Sequence, residues 1–376
     1  ETEALMLTDE LERLNSERKK AETDIISEIE QQIANNPAIL YERVIILNGE
    51  NWHHGVIGIV ASRIMERFDK PCFIITQEGE MSRGSARSFG NFSVFKALDY
   101  CSDILSKFGG HLGAGGFSVE TGRIDEFKKR IQQFALENFE IMPVPDITAE
   151  KQILPNEITL ENVDGLKILE PFGEGNRQPV FAVCGAVVEE IIPLSKGTHT
   201  KLKLRYGGAF LDALLFRCSP DELFIAKGDK ADFMVTMEVQ QFAGRKSICI
   251  IVKDYRKSGI EQKKYFAAKT TYEKYKRNEA LPDIYYGRMC PDRNELIPIY
   301  KKLASGTFST DTLYMSVASD SMNYCKLRIC LDVFTELGLA RLDPFSQEIS
   351  AVKNAPKANL DDSAILSDLH SRSENI

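Results

Sequence analysis

The chain has 376 residues, enough for two or three domains, and its 43% hydrophobic and 27% charged residues are the balance of a globular protein. No apolar run reaches the length of a membrane span and no secretory signal opens the sequence, so no membrane partner and a cytoplasmic location are expected. The net charge of −8 argues against a nucleic-acid partner until it is located: residues 1–42 hold 11 acidic and 4 basic side chains, and the remaining 334 residues sum to about −1, which leaves room for basic patches.

Residues 1–34 read as one or two helices, with Leu7, Leu11, Leu14 and then Ile25, Ile29, Ile33 at helical spacing. The pattern begins without a Met or a cap, as in a fragment of something longer. Strands and helices then alternate. Strands are predicted at 43–49, 71–76 and 84–88, and helices at 55–68 and 91–108, the second capped by Asn91 or Ser93. A glycine loop, a strand at 117–120 and a helix at 124–139 follow, so a sheet covered by helices is expected. "MPVPD" (142–146) reads as a linker.

From 147 to 257 five or so short strands succeed one another, with Gly207-Gly208 as a hairpin signal, which fits a small closed barrel of the oligonucleotide/oligosaccharide-binding (OB) type. Residues 260–285 are charged, aromatic and helical in period. Helices at 292–305, near 308–318 and within 322–343 resemble a winged-helix domain, and the polar tail from 353 is expected to be disordered. The eight cysteines form no Cys-x-x-Cys pair and lie mostly in apolar runs such as "PCFII" and "SICIIV". They read as reduced core residues, neither disulfides nor zinc ligands.

Four stretches carry candidate chemistry. In "GGHLGAGG" (109–116) five of eight residues are glycine and the only ionisable one is His111. Glycine costs conformational entropy, and a tight turn needs only one or two, so the remainder suggest close approach of a ligand; bare backbone N–H groups suit an anion such as phosphate. In "RGSARS" (83–88) Arg87 stands among Ser85 and Ser88, a set that suits phosphate oxygens, against the plainer reading of an exposed arginine on an edge strand. Trp52, His53 and His54 follow the first strand, where α/β proteins place ligands. Two adjacent histidines without a patterned carboxylate make no metal site.

In "HTKLKLRYGG" Lys201, Lys203 and Arg205 alternate with Leu202, Leu204 and Tyr206, which puts three cations on one face of a strand. That face suits a polynucleotide backbone; the alternative is a solvated edge that lysines keep from aggregating. Tyr206, Phe210 and Phe242 are candidates to stack on bases. Residues 259–302 hold 10 basic and 6 acidic side chains among interleaved tyrosines, either a DNA surface or a protein docking site.

"NWHHGVIGIVASRI" (51–64), "GSARS" (84–88), "FGGHLGAGGFSV" (108–119) and "LEPFGEGNRQPVF" (169–181), in this order, closely resemble RecJ-type single-stranded-DNA-specific exonucleases. The first three resemble the DHHA1 domain and the fourth the entry to that family's OB domain. His53-His54-Gly55 departs from the usual His-Pro-Gly or His-Glu-Gly, and Gly113-Ala114-Gly115-Gly116 from the usual alanines.

The resemblance implies a multidomain α/β plus all-β architecture. It consists of a connecting helix from an N-terminal DHH domain (1–42), a DHHA1-type domain (43–141), an OB barrel (146–258), a small winged-helix-like domain (260–352) and the tail (353–376). It also implies a part in a 5′–3′ exonuclease of DNA repair and recombination. Single-stranded DNA would be held by His53, Ser85, Arg87, Ser88, Gly109, Gly110, Ala114, Gly115 and Gly116, with His111 donating to a phosphate near the scissile bond and Lys201, Lys203 and Arg205 continuing along the barrel. The family's Mn2+ or Mg2+ ions are held by an Asp-His-His motif that this sequence does not contain, so the chain alone is expected to bind no metal and to cut nothing. A monomer is expected, with single-strand-binding protein or other repair proteins as possible partners of the C-terminal domain. The competing readings are a DHHA1 phosphodiesterase of cyclic dinucleotides or nano-RNA, and a non-catalytic single-strand-binding adaptor.

Overall fold

The computed structural model describes residues 2–173, 175–242, 244–319, 321–355 and 357–373. The chain divides into two compact units: Glu1–Asp146 with Glu273–Leu281 and Asp343–Ser346, and Ile147–Tyr272 with Pro282–Leu342 and Gln347–Ile376.

The first unit opens with a single helix, α1 (Thr2–Asn35), whose Ile25, Ile29 and Ile33 are buried while Leu5, Leu7, Leu11 and Leu14 are exposed. Then come β1 (Ile45–Glu50), α2 (Ile57–Phe68), β2 (Cys72–Glu78), β3 (Met81–Arg87), α3 (Val94–Asp99), β4 (Leu105–Gly110), β5 (Ala114–Glu120) and α4 (Ile124–Asn138). The five strands form one sheet in the order β1-β2-β3-β5-β4. Only β1 and β2 run parallel; β2–β3, β3–β5 and β5–β4 are antiparallel.

The period of two along β2 sorts its side chains to two cores. Cys72 and Ile74 pack with α1, α2 and Trp52, whereas Phe73 and Ile75 pack with Phe117, Phe127 and α3. Phe345, from the Asp343–Ser346 segment, joins the first core: its ring lies edge-on to Phe68, and the Arg67 guanidinium sits 4.2 Å above it.

Two expectations are corrected here. The helix predicted at 91–108 stops at Asp99. Ser93 caps it by accepting from the Lys96 N–H, and the helical period to Ile104 is real, since Val94, Ala97, Leu98, Cys101 and Ile104 are all buried. Beyond Ile104 the backbone finds better partners across β5, with Phe108 opposite Phe117. The expected glycine loop is therefore the hairpin β4–β5, turning at 111–113, and its glycines sit mostly in paired strands.

The second unit contains β6 (Lys151–Gln152), α5 (Leu160–Gly165), β7 (Phe181–Leu194), β8 (His199–Tyr206), β9 (Ala209–Leu215), β10 (Lys230–Phe242) and β11 (Arg245–Lys257). β7, β8 and β9 form an antiparallel meander, β9 runs parallel to β11, and β10 pairs with both β11 and β7. The result is a closed five-stranded barrel of OB connectivity, filled by Val183, Val188, Leu202, Leu204, Val235 and Ile250. Gly207 and Gly208, with φ of +56° and +89°, make the tight β8–β9 turn as expected.

Helices α6 (Gln262–Lys276), α7 (Asp283–Met289) and α8 (Arg293–Leu303) follow, then β12 (Thr307–Ser309), α9 (Thr310–Val317), α10 (Tyr324–Glu336), β13 (Ala340–Leu342) and β14 (Glu348–Ala351). The run from α8 to β14, with sheet order β12-β14-β13, has the succession of a winged helix. The tail is not featureless: α11 (Ala364–Ser373) buries Leu366 and Leu369, and the Ser363 hydroxyl donates to the Glu336 carboxylate. Apolar burial at these two positions outweighs the polar composition that suggested disorder. All eight cysteines are free thiols, and burial raises the pKa of Cys72, Cys325 and Cys330.

Gly84 lies in the middle of β3, and a methyl group added there would fall 2.1 Å from the Phe117 ring. Gly84→Ala should therefore cost about 1–3 kcal/mol through overpacking, measured as a lower denaturant midpoint at unchanged slope.

Candidate nucleic-acid interface

The register of β3, β5 and β4 builds a surface on the sheet face opposite Phe117. Arg83, Ser85 and Arg87 alternate with Ser82, Gly84 and Ala86, so all three point to the α2 side. Across the sheet Arg83 pairs with Ser118 and Lys107, Ser85 with Gly116 and Gly109, and Arg87 with Ala114. Two cationic rows thus flank a floor of glycine. Between them lies a pocket of about 350 Å3 lined by His54, Ile57, Arg83, Ser85, Lys107 and Gly116.

The glycines separate into two kinds. A Cβ at Gly110 would fall 2.4 Å from the Ala114 carbonyl oxygen, and one at Gly115 would fall 2.7 Å from Val94 on the core side. These two are demanded by packing. A Cβ at Gly109 would meet nothing within 4 Å, and one at Gly116 only the Gly84 carbonyl at an ordinary 3.7 Å. The protein's own atoms give no reason for glycine at either position. They are directly opposite each other and exposed. β5 is paired on both sides, so its N–H groups serve the sheet ladders. The glycines offer room for a ligand rather than the loop of free N–H donors expected from sequence.

Arg87 is held in place by donating to the Ala86 carbonyl at 2.8 Å and the Ser85 hydroxyl at 3.3 Å, and it has no carboxylate partner among the described residues. Gly58 in α2 makes this possible, since a Cβ there would sit 3.1 Å from both Arg87 Nη2 and Ser85 Oγ. His111 is exposed on the hairpin turn; its backbone N–H donates to the Ala114 carbonyl at 2.7 Å, and its imidazole has no partner among the described residues.

Ser88 departs from its expected role. It is buried, and its hydroxyl donates to the Phe92 carbonyl at 2.7 Å, with the Leu112 carbonyl at 3.1 Å, so it fastens the hairpin turn instead of facing a ligand. His53 is also occupied, its Nδ1 accepting from the Gly55 N–H at 3.1 Å, while its neighbour His54 lines the pocket. Trp52 is buried and donates to Glu28 of α1 at 2.8 Å, a structural bond. Sequence reading passed over Arg83 and Lys107, and of the two adjacent histidines it carried His53 rather than His54 into the strand-holding set. The signal for Arg83 was there: it stands two and four residues before Ser85 and Arg87 on a strand, hence on the same face. The pairing of Lys107 with Ser118 is tertiary information.

On the barrel the predicted alternation holds: Leu202, Leu204 and Tyr206 are buried, and Lys201, Lys203 and Arg205 face out. Each cation, however, meets a carboxylate on a neighbouring strand: Lys201 with Asp212 at 2.6 Å, Lys203 with Glu190 at 2.9 Å, and Arg205 with Glu189 at 2.6 Å. The hydrogen bond between Lys203 and Glu190 lowers the pKa of the carboxyl and raises that of the ammonium. The stripe is charge-balanced. Of the proposed stacking residues, Tyr206 is used internally, its hydroxyl donating to the Ile153 carbonyl at 2.7 Å, whereas Phe210 is 72% exposed. The Phe242 side chain lies outside the described residues.

Among the described residues no group of three or more His, Cys, Asp and Glu side chains could hold a metal ion, and no helix is long and apolar enough to cross a membrane.

The DHHA1 domain family model matches residues 36–137 and the RecJ OB domain model residues 150–254. Single-stranded-DNA-specific exonuclease RecJ of Bacillus subtilis is 30% identical over 262 residues, covering 67% of this chain and 32% of that protein. RecJ of Thermus thermophilus is 35% identical over 204 residues, 54% of this chain and 29% of that one. The crystal structure of Thermus thermophilus RecJ in complex with Mg2+ matches with a TM-score of 0.54 at 29% identity, covering 67% of this chain and 38% of that chain. The chain thus spans about a third of the length of these relatives. The order of domains defines a DHHA1–OB protein. Within that class the chain belongs to the RecJ family, carrying that family's DHHA1 and OB segments.

Two outcomes are expected. Gly116→Val should leave stability within about 0.5 kcal/mol of wild type, because the added side chain enters open space on a strand, yet should weaken binding of oligo(dT) in a filter or anisotropy assay. Replacing Glu189, Glu190 and Asp212 by their amides frees three cations. The slope of log affinity against log salt for a single strand should then steepen by up to about 2 units, at about 0.7 per phosphate.

Proposed function

We propose that this chain is the strand-binding part of a 5′–3′ single-stranded-DNA exonuclease of DNA repair and recombination. The observation that carries the reading is the exposed Gly109–Gly116 pair, which no internal contact requires, in one row with Ser85 and flanked by the Arg83–Ser118–Lys107 row on one side and by Arg87 on the other. A DNA backbone laid on this floor reaches within hydrogen-bond range of the Arg87 guanidinium, which is already oriented by Ser85 and the Ala86 carbonyl and loses little freedom on binding. The unpartnered His111 imidazole donates to a phosphate beside the bond to be cut. Arg83 and Lys107 neutralise the neighbouring phosphates, and the barrel supplies a further surface for single strands.

In the complete enzyme, Mn2+ or Mg2+ ions bound outside these residues would supply Lewis-acid chemistry for phosphodiester hydrolysis. The described residues here do not fit such ions, so the work of these residues is to bind, align and hold the strand. The C-terminal domain supports protein contact better than groove reading. Helix α10, in the position of a recognition helix, is buried along most of its length; its Lys326 is paired with Glu295 at 2.8 Å, and its Arg328 is enclosed against Tyr272 and Tyr324.

Two experiments test this. The 376-residue chain, rigorously purified and supplied with Mn2+, should bind single-stranded DNA without degrading it; degradation would overturn the division of labour. In the complete enzyme, Arg87→Ala or His111→Ala should slow exonuclease turnover on the order of 100-fold, about 3 kcal/mol of transition-state stabilisation, with thermal unfolding unchanged. Wild-type rates in both variants would make these residues structural.

A further inference from the structure

One end of the barrel differs from the rest of its outer face. Phe216 follows the last residue of β9 and is 54% exposed, and its ring meets that of His199 edge-on at 5.5 Å. The His199 ring is itself fixed, because Nδ1 accepts the Arg217 backbone N–H at 2.9 Å. The exposed aromatic face is therefore held by strand ends, not by a wandering loop.

Two cations flank it, Lys196 in the β7–β8 connection and Arg217 immediately after Phe216. Neither has a carboxylate partner among the described residues, in contrast to Lys201, Lys203 and Arg205 on the same sheet. Both hold left-handed backbone, with φ of +59° at Lys196 and +56° at Arg217, and Ser195 adds a third such residue at +49°. Glycine or asparagine would adopt that conformation at less cost, so the strain is borne with charged side chains retained. Phe210, an exposed aromatic within β9, instead pairs with Arg205, whose charge Glu189 already balances.

We propose that this end of the barrel is a stacking subsite for one base of single-stranded DNA. Phe216 is the platform, His199 braces its edge, and Lys196 and Arg217 take the phosphates on either side of the stacked nucleotide. An aromatic platform between unpaired cations matches an unpaired base on its anionic backbone, and the strands and connections at this position are those that OB barrels use for oligonucleotides. The inference rests on the reading that the chain binds single strands, and it adds where on the barrel a base is held.

The test uses the whole chain with oligo(dT) and with an abasic strand of the same length. Phe216→Ala should bind oligo(dT) about 5- to 150-fold more weakly, the range set by one lost stacking contact, while its affinity for the abasic strand stays at the wild-type level. Phe216→Tyr should bind as wild type. Phe216→Trp should show emission quenched by oligo(dT) and not by the abasic strand, against a native Trp52 that is only 3% exposed. Equal affinity of wild type and Phe216→Ala for oligo(dT), or unquenched emission, would overturn the subsite and leave the single-strand reading intact. Failure of the wild-type chain to bind oligo(dT) at all would overturn both.

Discussion

The antiparallel pairing of β5 between β3 and β4 is the constraint on which the candidate site depends. It sets Ser85, Gly116 and Gly109 in one row, with Arg83, Ser118 and Lys107 in the next. A slip of one residue would turn Arg83, Ser85 and Arg87 into the core and bring Gly84 and Ala86 to the surface. The core side prevents that slip. Phe117 fills the space over Gly84, and Phe108 stands opposite Phe117, so the apolar face locks the register that the polar face uses. Gly110 and Gly115 are spent on this packing, which leaves Gly109 and Gly116 as the open floor.

The two candidate surfaces handle charge differently. On the sheet, Arg87 and Lys107 have no carboxylate partner among the described residues, and Arg83 has only Glu78 at 3.8 Å. An incoming phosphate need displace almost nothing there. On β8 each of Lys201, Lys203 and Arg205 is paired across to a neighbouring strand, so a phosphate must compete there with a carboxylate already in place. Exposed pairs of this kind contribute little to stability, and they leave the stripe without net positive charge. At the barrel end around Phe216, Lys196 and Arg217 have no carboxylate partner among the described residues.

The C-terminal domain has the succession of a winged helix without that fold's usual means of reading DNA. Tyr324, Leu327, Ile329, Cys330, Val333 and Phe334 bury α10 on several sides. Arg328 lies under the Tyr272 ring at 4.7 Å and is 4% exposed, and the Tyr272 hydroxyl donates to Asp332 at 2.9 Å. Two of the tyrosines that made residues 259–302 look like a nucleic-acid surface in sequence are interior: Tyr272 and Tyr286 are buried, and Tyr265 packs against the buried Tyr314 and Tyr324.

Local pattern alone determined a good deal of this protein. Apolar periodicity gave most strands and helices of the first unit, the alternation of Lys201 to Tyr206 gave the two faces of β8, and Gly207-Gly208 gave its turn, because each depends on neighbours within a few residues. Motif order gave the family. What local pattern could not supply was anything decided by partners distant in the chain. Ser88 and Ser85 look equivalent in "GSARS", but strand parity and the Phe92 and Leu112 carbonyls make one structural and leave the other in the site. The glycines of 109–116 look alike, and only the atoms around each separate packing from access. Lys201, Lys203 and Arg205 read as free cations until Asp212, Glu190 and Glu189 arrive from adjacent strands. The polar tail read as disordered because its composition is polar on average, whereas folding answers to the two positions, Leu366 and Leu369, that find a surface to bury against. Side-chain surroundings are set by strand pairing and packing across tens of residues, and those only the tertiary structure decides.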